Sequence, residues 1–264
     1  MIITLTTDFG LRDPFVGVMK GRILERAPAA SVVDLSHDIL AHWPAEAGFW
    51  LAHCHRYFPA GTLHVAVVDP GVGTARAIAM VELADQVFLA PDNGLLAPVL
   101  IGQPSARCWH LDPAQFSRLG IGRTSATFHG RDIFAPLAAE LSTGRVTVAE
   151  VGSSVGELVP GWVDEAIVTA EQASGVVITI DHFGNLISNI EGSAIERWVE
   201  PHVYVGASVL PLRRTYGEAK PGTALALINS FGVVEIAVAE GRASDLLGLS
   251  RGAPIVVRDS VRKR

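Results

Sequence analysis

The chain has 264 residues, 49% of them hydrophobic, with a formal net charge of −6 and two cysteines; this is enough for one large core or two smaller ones and excludes a disordered chain. Its basic residues cluster only in the Arg213-Arg214 pair and the RDSVRKR tail, so the cationic face that phosphate backbones require is missing and a nucleic-acid partner is not expected. Cys54 and Cys108 give neither a disulfide framework nor metal-ligand spacing. With no basic leader before MIITLTTDFG and no apolar run near the ~18 residues of a membrane span, a cytoplasmic protein without a membrane partner is expected.

In chain order, IITLTT reads as a strand, and Val16, Met19 and Ile23 then share one helical face before Pro28. SVVDLS is a second strand. PAEAGFWLAHCHRYF is a helix with Pro44 in its first turn, and TLHVAVVD is a strand apolar enough to be buried on both faces. Strands around AIAMVEL, QVFLA and RCWHL follow, and GRDIFAPLAAEL is a helix ending near Gly144. This order predicts an α/β domain over 1–152, a mostly parallel sheet with helices on both faces. VGSSVGELVPGW, rich in Gly, Ser and Pro, predicts a linker over 153–170. Beyond it VVITID, LISNI, VYVGASVLPL, TALALINS, VVEIAVAE and PIVVRD are short strands between turn signals, predicting an all-β, barrel-like or sandwich domain over 171–264.

Two motif matches fail on context. GVGTAR begins like a dinucleotide fingerprint, but Arg76 takes the third glycine position and a strand follows, so NAD is not expected. GSSVG resembles a nucleophile elbow around Ser154, yet ELVPG cannot supply the required helix. His53 and His55 are two apart in a helix and point to different faces, which predicts solvent-facing histidines and no metal site. No cofactor is expected.

Polar residues gather where strands end, the place where open α/β sheets bind ligands. Asp8 and Asp13 follow the first strand, Asp69 the third, and Asp92 and Asn93 a later one; each alone is equally a turn-former or cap. TFHGRDIFAP places His129 before a glycine, and Arg131 and Asp132 open the next helix, which Asp132 is positioned to cap. In the β domain, DHFGN offers Asp181, Phe183 and Asn185, and LINSFG offers Asn229 and Ser230, in sequences that are also ordinary hairpin turns.

Taken in order, LTTDFGLRDPFVGVMKG, VVDPGVG with Arg76, APDNGLL, TFHGRDIFAP, DHFGN and NSFG resemble the S-adenosylmethionine hydroxide adenosyltransferase family over nearly the whole chain. These are adenosine-forming hydrolases related to fluorinase and chlorinase. The resemblance implies a Rossmann-like α/β domain, a C-terminal β-barrel domain, and a homotrimer whose ligand lies between the N-terminal domain of one subunit and the C-terminal domain of the next. It assigns the water-handling set to Asp69, Arg76 and His129. It assigns Asp8 to the ribose hydroxyls, Trp43 to the ribose side, and Asp13, Asp181 and Ser230 to the methionine amino and carboxylate groups. Phe183 and Asn185 fall on the adenine side, and Asn229 stands beside Ser230 in the substrate set. Three departures from fluorinase point to water as nucleophile: Asp69 itself, Gly130 where fluorinase has serine, and a missing inserted loop. Phe231 stands where fluorinase has arginine.

A sulfonium leaves C5′ as neutral methionine and needs no general acid, so the catalytic demand falls on the nucleophile. General-base help of 10² to 10⁴, about 3–5 kcal/mol, suits such an activated substrate. The expected reaction is hydrolysis of S-adenosylmethionine to adenosine and L-methionine. Its rivals are a halide-dependent 5′-halogenase and a non-catalytic sensor of S-adenosylmethionine or adenosine.

Overall fold

The computed structural model describes residues 1–260; the last four residues of the RDSVRKR tail and of the 171–264 range lie outside the described residues. The chain divides into two compact units, Met1–Val163 and a second beginning at Asp164.

In the first unit the elements run β1 (Ile2–Thr7), α1 (Phe15–Arg26), β2 (Ser31–Ser36), α2 (Pro44–Cys54), β3 (Leu63–Val67), β4 (Ile78–Leu83), β5 (Gln86–Pro91), α3 (Ala97–Leu100) and β6 (Arg107–Leu111). A π turn (Gly130–Phe134), α4 (Ala135–Ser142), α5 (Val148–Val151) and β7 (Gly152–Val155) complete it. The sheet order is β2-β1-β3-β5-β4-β6-β7. Strands β2, β1, β3 and β5 pair in parallel, and β4 lies antiparallel between β5 and β6, so five of the seven strands share one direction, with β4 and β7 opposed.

The apolar strand residues sort by parity, as a sheet buried on both faces requires. Val65, Val67, Ile78, Met80 and Leu89 join a core with α1 and α4, whereas Ala66, Val68, Ala79, Val81 and Phe88 join a second core with α2 and α3. From β1 the chain passes to β2 on one side and then to β3 on the other. This creates a topological switch point between β1 and β3, whose ends sit in register at Thr7 and Val67. Asp8 and Asp69 emerge there on neighbouring strands.

Three local expectations are corrected. Residues 153–155, expected as linker, belong to β7, a short edge strand held by β6 through the pairs Trp109↔Ser154 and His110↔Ser153. GRDIFAPLAAEL is not one regular helix: Pro136 offers no N–H to residue 132, and the chain takes a π turn in which Ala135 N donates to Gly130 O. His53 and His55 are half-buried instead of facing solvent. His53 packs on the Phe49 ring at 4.2 Å, and His55 Nδ1 lies 3.0 Å from Gln86 Oε1.

The second unit contains β8 (Ile167–Val168), β9 (Gln172–Ile180), β10 (Leu186–Glu191), β11 (Pro201–Val205), β12 (Ser208–Arg213), β13 (Ala224–Ile228), β14 (Val233–Val238), α6 (Ala243–Leu247) and β15 (Pro254–Asp259). The order β10-β14-β13-β12-β11-β15-β9 closes through a β10–β9 pairing, giving a seven-stranded barrel with β8 appended to β9. Closure leaves no barrel strand with a free edge. Its interior holds Val177, Leu186, Val203, Ala226, Val234, Ile236, Ile255 and Val257, one face of the period-2 strands.

His64, the second residue of β3, is fully buried; its Nδ1 lies 2.8 Å from Thr4 Oγ1 and its ring stacks on Phe88 at 4.8 Å. Burial, with His55 close by, pushes its pKa down to about 4 from the ordinary 6.5. The fold therefore favours neutral imidazole. That contribution is complete above the unfolded pKa and is lost as pH falls from 6.5 toward 4, by about 2 kcal/mol between pH 7 and pH 5. Urea melts are expected to show a smaller pH 7 to pH 5 loss in His64→Leu than in wild type; equal losses would contradict this.

Candidate active site

The segment after β3 reverses direction through two overlapping turns. Val72 N donates to Asp69 O at 3.1 Å, and Thr74 donates to Gly71 O through N at 3.2 Å and through Oγ1 at 2.7 Å. This returns Arg76 over Asp69 just before β4. Gly73 makes the reversal possible: at φ 78° a Cβ there would stand 2.1 Å from Ala126 O. The turn thus packs directly against the segment that carries His129.

Arg76 Nε donates to both Asp69 oxygens at 2.9 and 3.0 Å, its Nη2 donates to Asp69 Oδ2, and the same Nη2 lies 3.0 Å from His129 Nδ1. Both charged side chains are nearly buried, 10% and 5% exposed. Phe134, on the π turn, supports the guanidinium with its ring centroid 5.5 Å from Cζ. Because guanidinium has no acceptor, His129 Nδ1 must accept, which leaves the imidazole proton on Nε2. Burial first, and then the Arg76 charge, hold the His129 pKa below its ordinary value against the opposing pull of Asp69 and Asp132. At neutral pH His129 is an uncharged donor at Nε2.

The loop before His129 is braced from its own side. Asp132 caps no helix end; it accepts from Ser125 N at 2.8 Å and pairs with Arg131, whose guanidinium lies over the Phe128 ring at 5.3 Å.

Asp69 and His129 line a cleft of about 290 Å³ together with Asp8, at the switch point of the sheet. Asp8 Oδ2 accepts from His42 N at 2.9 Å. Part of the lining is aromatic: Phe9, Phe15 and Phe128 meet edge to face with centroids 5.4 to 6.1 Å apart. One cleft therefore combines a carboxylate suited to a vicinal diol, apolar rings, and Asp69 and His129, which Arg76 joins by hydrogen bonds and which are suited to holding water.

The other expected residues are not among those that line this cleft. Asp13 is exposed. Trp43 is half-buried edge-on to Trp162 at 5.7 Å, and its indole N–H has no partner among the described residues. Asp92 and Asn93 act structurally: Asp92 holds His110 at 2.7 Å and Val159 N at 2.9 Å, and Asn93 Nδ2 ties Val68 O at 2.9 Å. In the barrel, Asp181 and Asn185 close the β9–β10 turn, with Asp181 accepting from Asn185 N and Nδ2 at 2.8 and 3.0 Å, while Phe183 is 69% exposed. Asn229 braces the β13–β14 turn by accepting from Phe231 N at 2.9 Å, and Ser230 is exposed.

Sequence reasoning missed Glu235 and Tyr216. Glu235 is buried and accepts from Tyr216 OH at 2.7 Å and Asn229 Nδ2 at 3.1 Å; burial and the Asp181 charge raise its pKa against these hydrogen bonds. A lone acid within the otherwise apolar VVEIAV was the available signal. Phe9, Phe15 and Phe128 were also missed, since phenylalanines at strand and helix ends read as ordinary core.

Comparison with known proteins gives the family of the chain. Residues 3–152 match the S-adenosylmethionine hydroxide adenosyltransferase N-terminal domain, and residues 175–256 match the C-terminal domain of the same family. An (R)-S-adenosyl-L-methionine hydrolase of Thermus thermophilus is 38% identical across 94% of this chain and 96% of its own. A crystal structure of a conserved protein from Thermotoga maritima superposes with a TM-score of 0.87 at 32% identity, covering 98% of this chain and 100% of that one. A fluorinase of Actinoplanes is more distant, 27% identical over 74% of each chain. The chain belongs to the S-adenosylmethionine hydroxide adenosyltransferase family.

Proposed function

We propose that the protein hydrolyses S-adenosylmethionine to adenosine and L-methionine, with the (R) configuration at sulfur preferred. The observation that carries this reading is the single Arg76 guanidinium hydrogen-bonded to both Asp69 and His129, which line the cleft. Relatives 32–38% identical over nearly the full chain bear the name (R)-S-adenosyl-L-methionine hydrolase, which supports both substrate and configuration.

The oxygen of a water attacks C5′ while the C5′–S bond breaks with its electron pair going to sulfur, and one proton leaves the water. His129, fixed as the Nε2–H tautomer by Arg76, donates to the water oxygen and aims it. Asp69 retains lone pairs beyond those used by Arg76 and accepts the proton. Arg76 stabilises the hydroxide character that develops. Asp8 takes the ribose hydroxyls and the phenylalanine wall excludes other water. In this reading Trp43, Asp13, Asp181, Phe183, Asn185, Asn229 and Ser230 complete the substrate contacts in a homotrimer, the assembly the resemblance implies, located in the cytoplasm.

The reaction run in ¹⁸O-water with each sulfonium diastereomer is expected to place the label on the adenosine 5′-oxygen, to leave methionine unlabelled, and to proceed faster with the (R) form. A 5′-halo product that depends on added halide, or binding without turnover, would overturn it. Light scattering of the same sample is expected to give three times the 28.0 kDa chain mass; the mass of one chain would contradict the trimer.

A further inference from the structure

Asp8 sits in a turn that is hydrogen-bonded to one neighbouring loop, and His37 is the fastening point. His37 is 4% exposed. Its Nδ1 lies 2.8 Å from Thr7 Oγ1, and its backbone oxygen accepts from Gly10 N at 2.8 Å, so it holds residues on both sides of Asp8. Thr7 Oγ1 in turn accepts from Phe9 N at 3.2 Å. The loop continues to His42, whose backbone sits in the left-handed region at φ 64° and presents its N–H to Asp8 Oδ2 at 2.9 Å. At the outer side, Asp34 Oδ1 stands 3.0 Å from His37 Nε2, and Lys20 holds Asp34 at 2.6 Å. A buried imidazole thus fixes the Thr7–Gly10 turn against the loop that contacts the Asp8 carboxylate.

We propose that His37 is a positioning residue for Asp8: by locking Thr7 and Gly10 it sets the direction of the carboxylate and so confers selectivity for a ribose with both hydroxyls. This rests on the assignment of Asp8 to the ribose. His37 touches no ligand in this account and does no chemistry at C5′. Its loss is therefore expected to change recognition of the sugar more than turnover of bound substrate.

Calorimetric binding of adenosine and 2′-deoxyadenosine separates these claims, because a hydroxyl bonded to an ionised carboxylate is worth about tenfold or more in affinity. Wild type is expected to prefer adenosine by at least about tenfold. His37→Leu is expected to lose most of that preference by weakening adenosine alone, with kcat within about threefold of wild type at saturating S-adenosylmethionine. His37→Asn, whose Oδ1 can replace Nδ1 as the acceptor for Thr7, is expected to recover the preference. Thr7→Val, close in shape but unable to hold His37, should behave as His37→Leu, and near-UV circular dichroism verifies folding of each variant. A preference kept in Thr7→Val and in folded His37→Leu would overturn the role of His37 alone. A wild type indifferent to the 2′-hydroxyl would overturn the Asp8 assignment, and the role of His37 with it.

Discussion

One guanidinium, that of Arg76, joins groups that come from distant parts of the chain. Asp69 follows the end of β3, His129 precedes the π turn some sixty residues later, and Phe134 of that turn packs on the guanidinium. A nearly buried ion pair is costly unless its hydrogen-bonding capacity is used. Here Nε and Nη2 spend theirs on Asp69 and His129, and the environment in return fixes the histidine tautomer and keeps it uncharged. Gly73 is the steric condition for this arrangement, because any side chain there would part the turn from residue 126.

The parallel half of the sheet supplies the second constraint. Its crossovers put β1 and β3 side by side with their ends open at a switch point, so the acids that follow them need no long loops to meet. One is held by backbone, the His42 N–H, and the other by a cation. Through Arg76, Asp69 is tied to His129, whereas Asp8 meets a backbone N–H. The aromatic wall adds apolar surface without competing hydrogen bonds.

Much of this was legible in the sequence where function coincides with local order. Asp69 and Arg76 flank a Pro-Gly turn, and His129 precedes a glycine, so their places at strand and helix ends follow from turn chemistry. The period-2 strands beyond residue 171 made the barrel readable, though not its closure, which depends on the long-range β10–β9 pairing. Ser153 and Ser154 read as linker because an edge strand with polar side chains gains its stability from backbone pairing with β6, which leaves no hydrophobic period. The fastening of Asp8 by His37, and the Glu235–Tyr216 contact, join residues 19 to 30 apart through isolated hydrogen bonds and leave no periodic trace.

The central claim is that Asp69, Arg76 and His129 act as one unit on a water molecule, and a double-mutant cycle on the rate of adenosine release tests it most directly. Replacing Arg76 by Ala removes the partner that orients His129, so adding His129→Ala should cost little more than Arg76→Ala alone, with a coupling of about 1.4 kcal/mol or more, a factor of ten in rate. Losses that multiply independently, with coupling near zero, would mean that His129 works without Arg76 and would contradict the account.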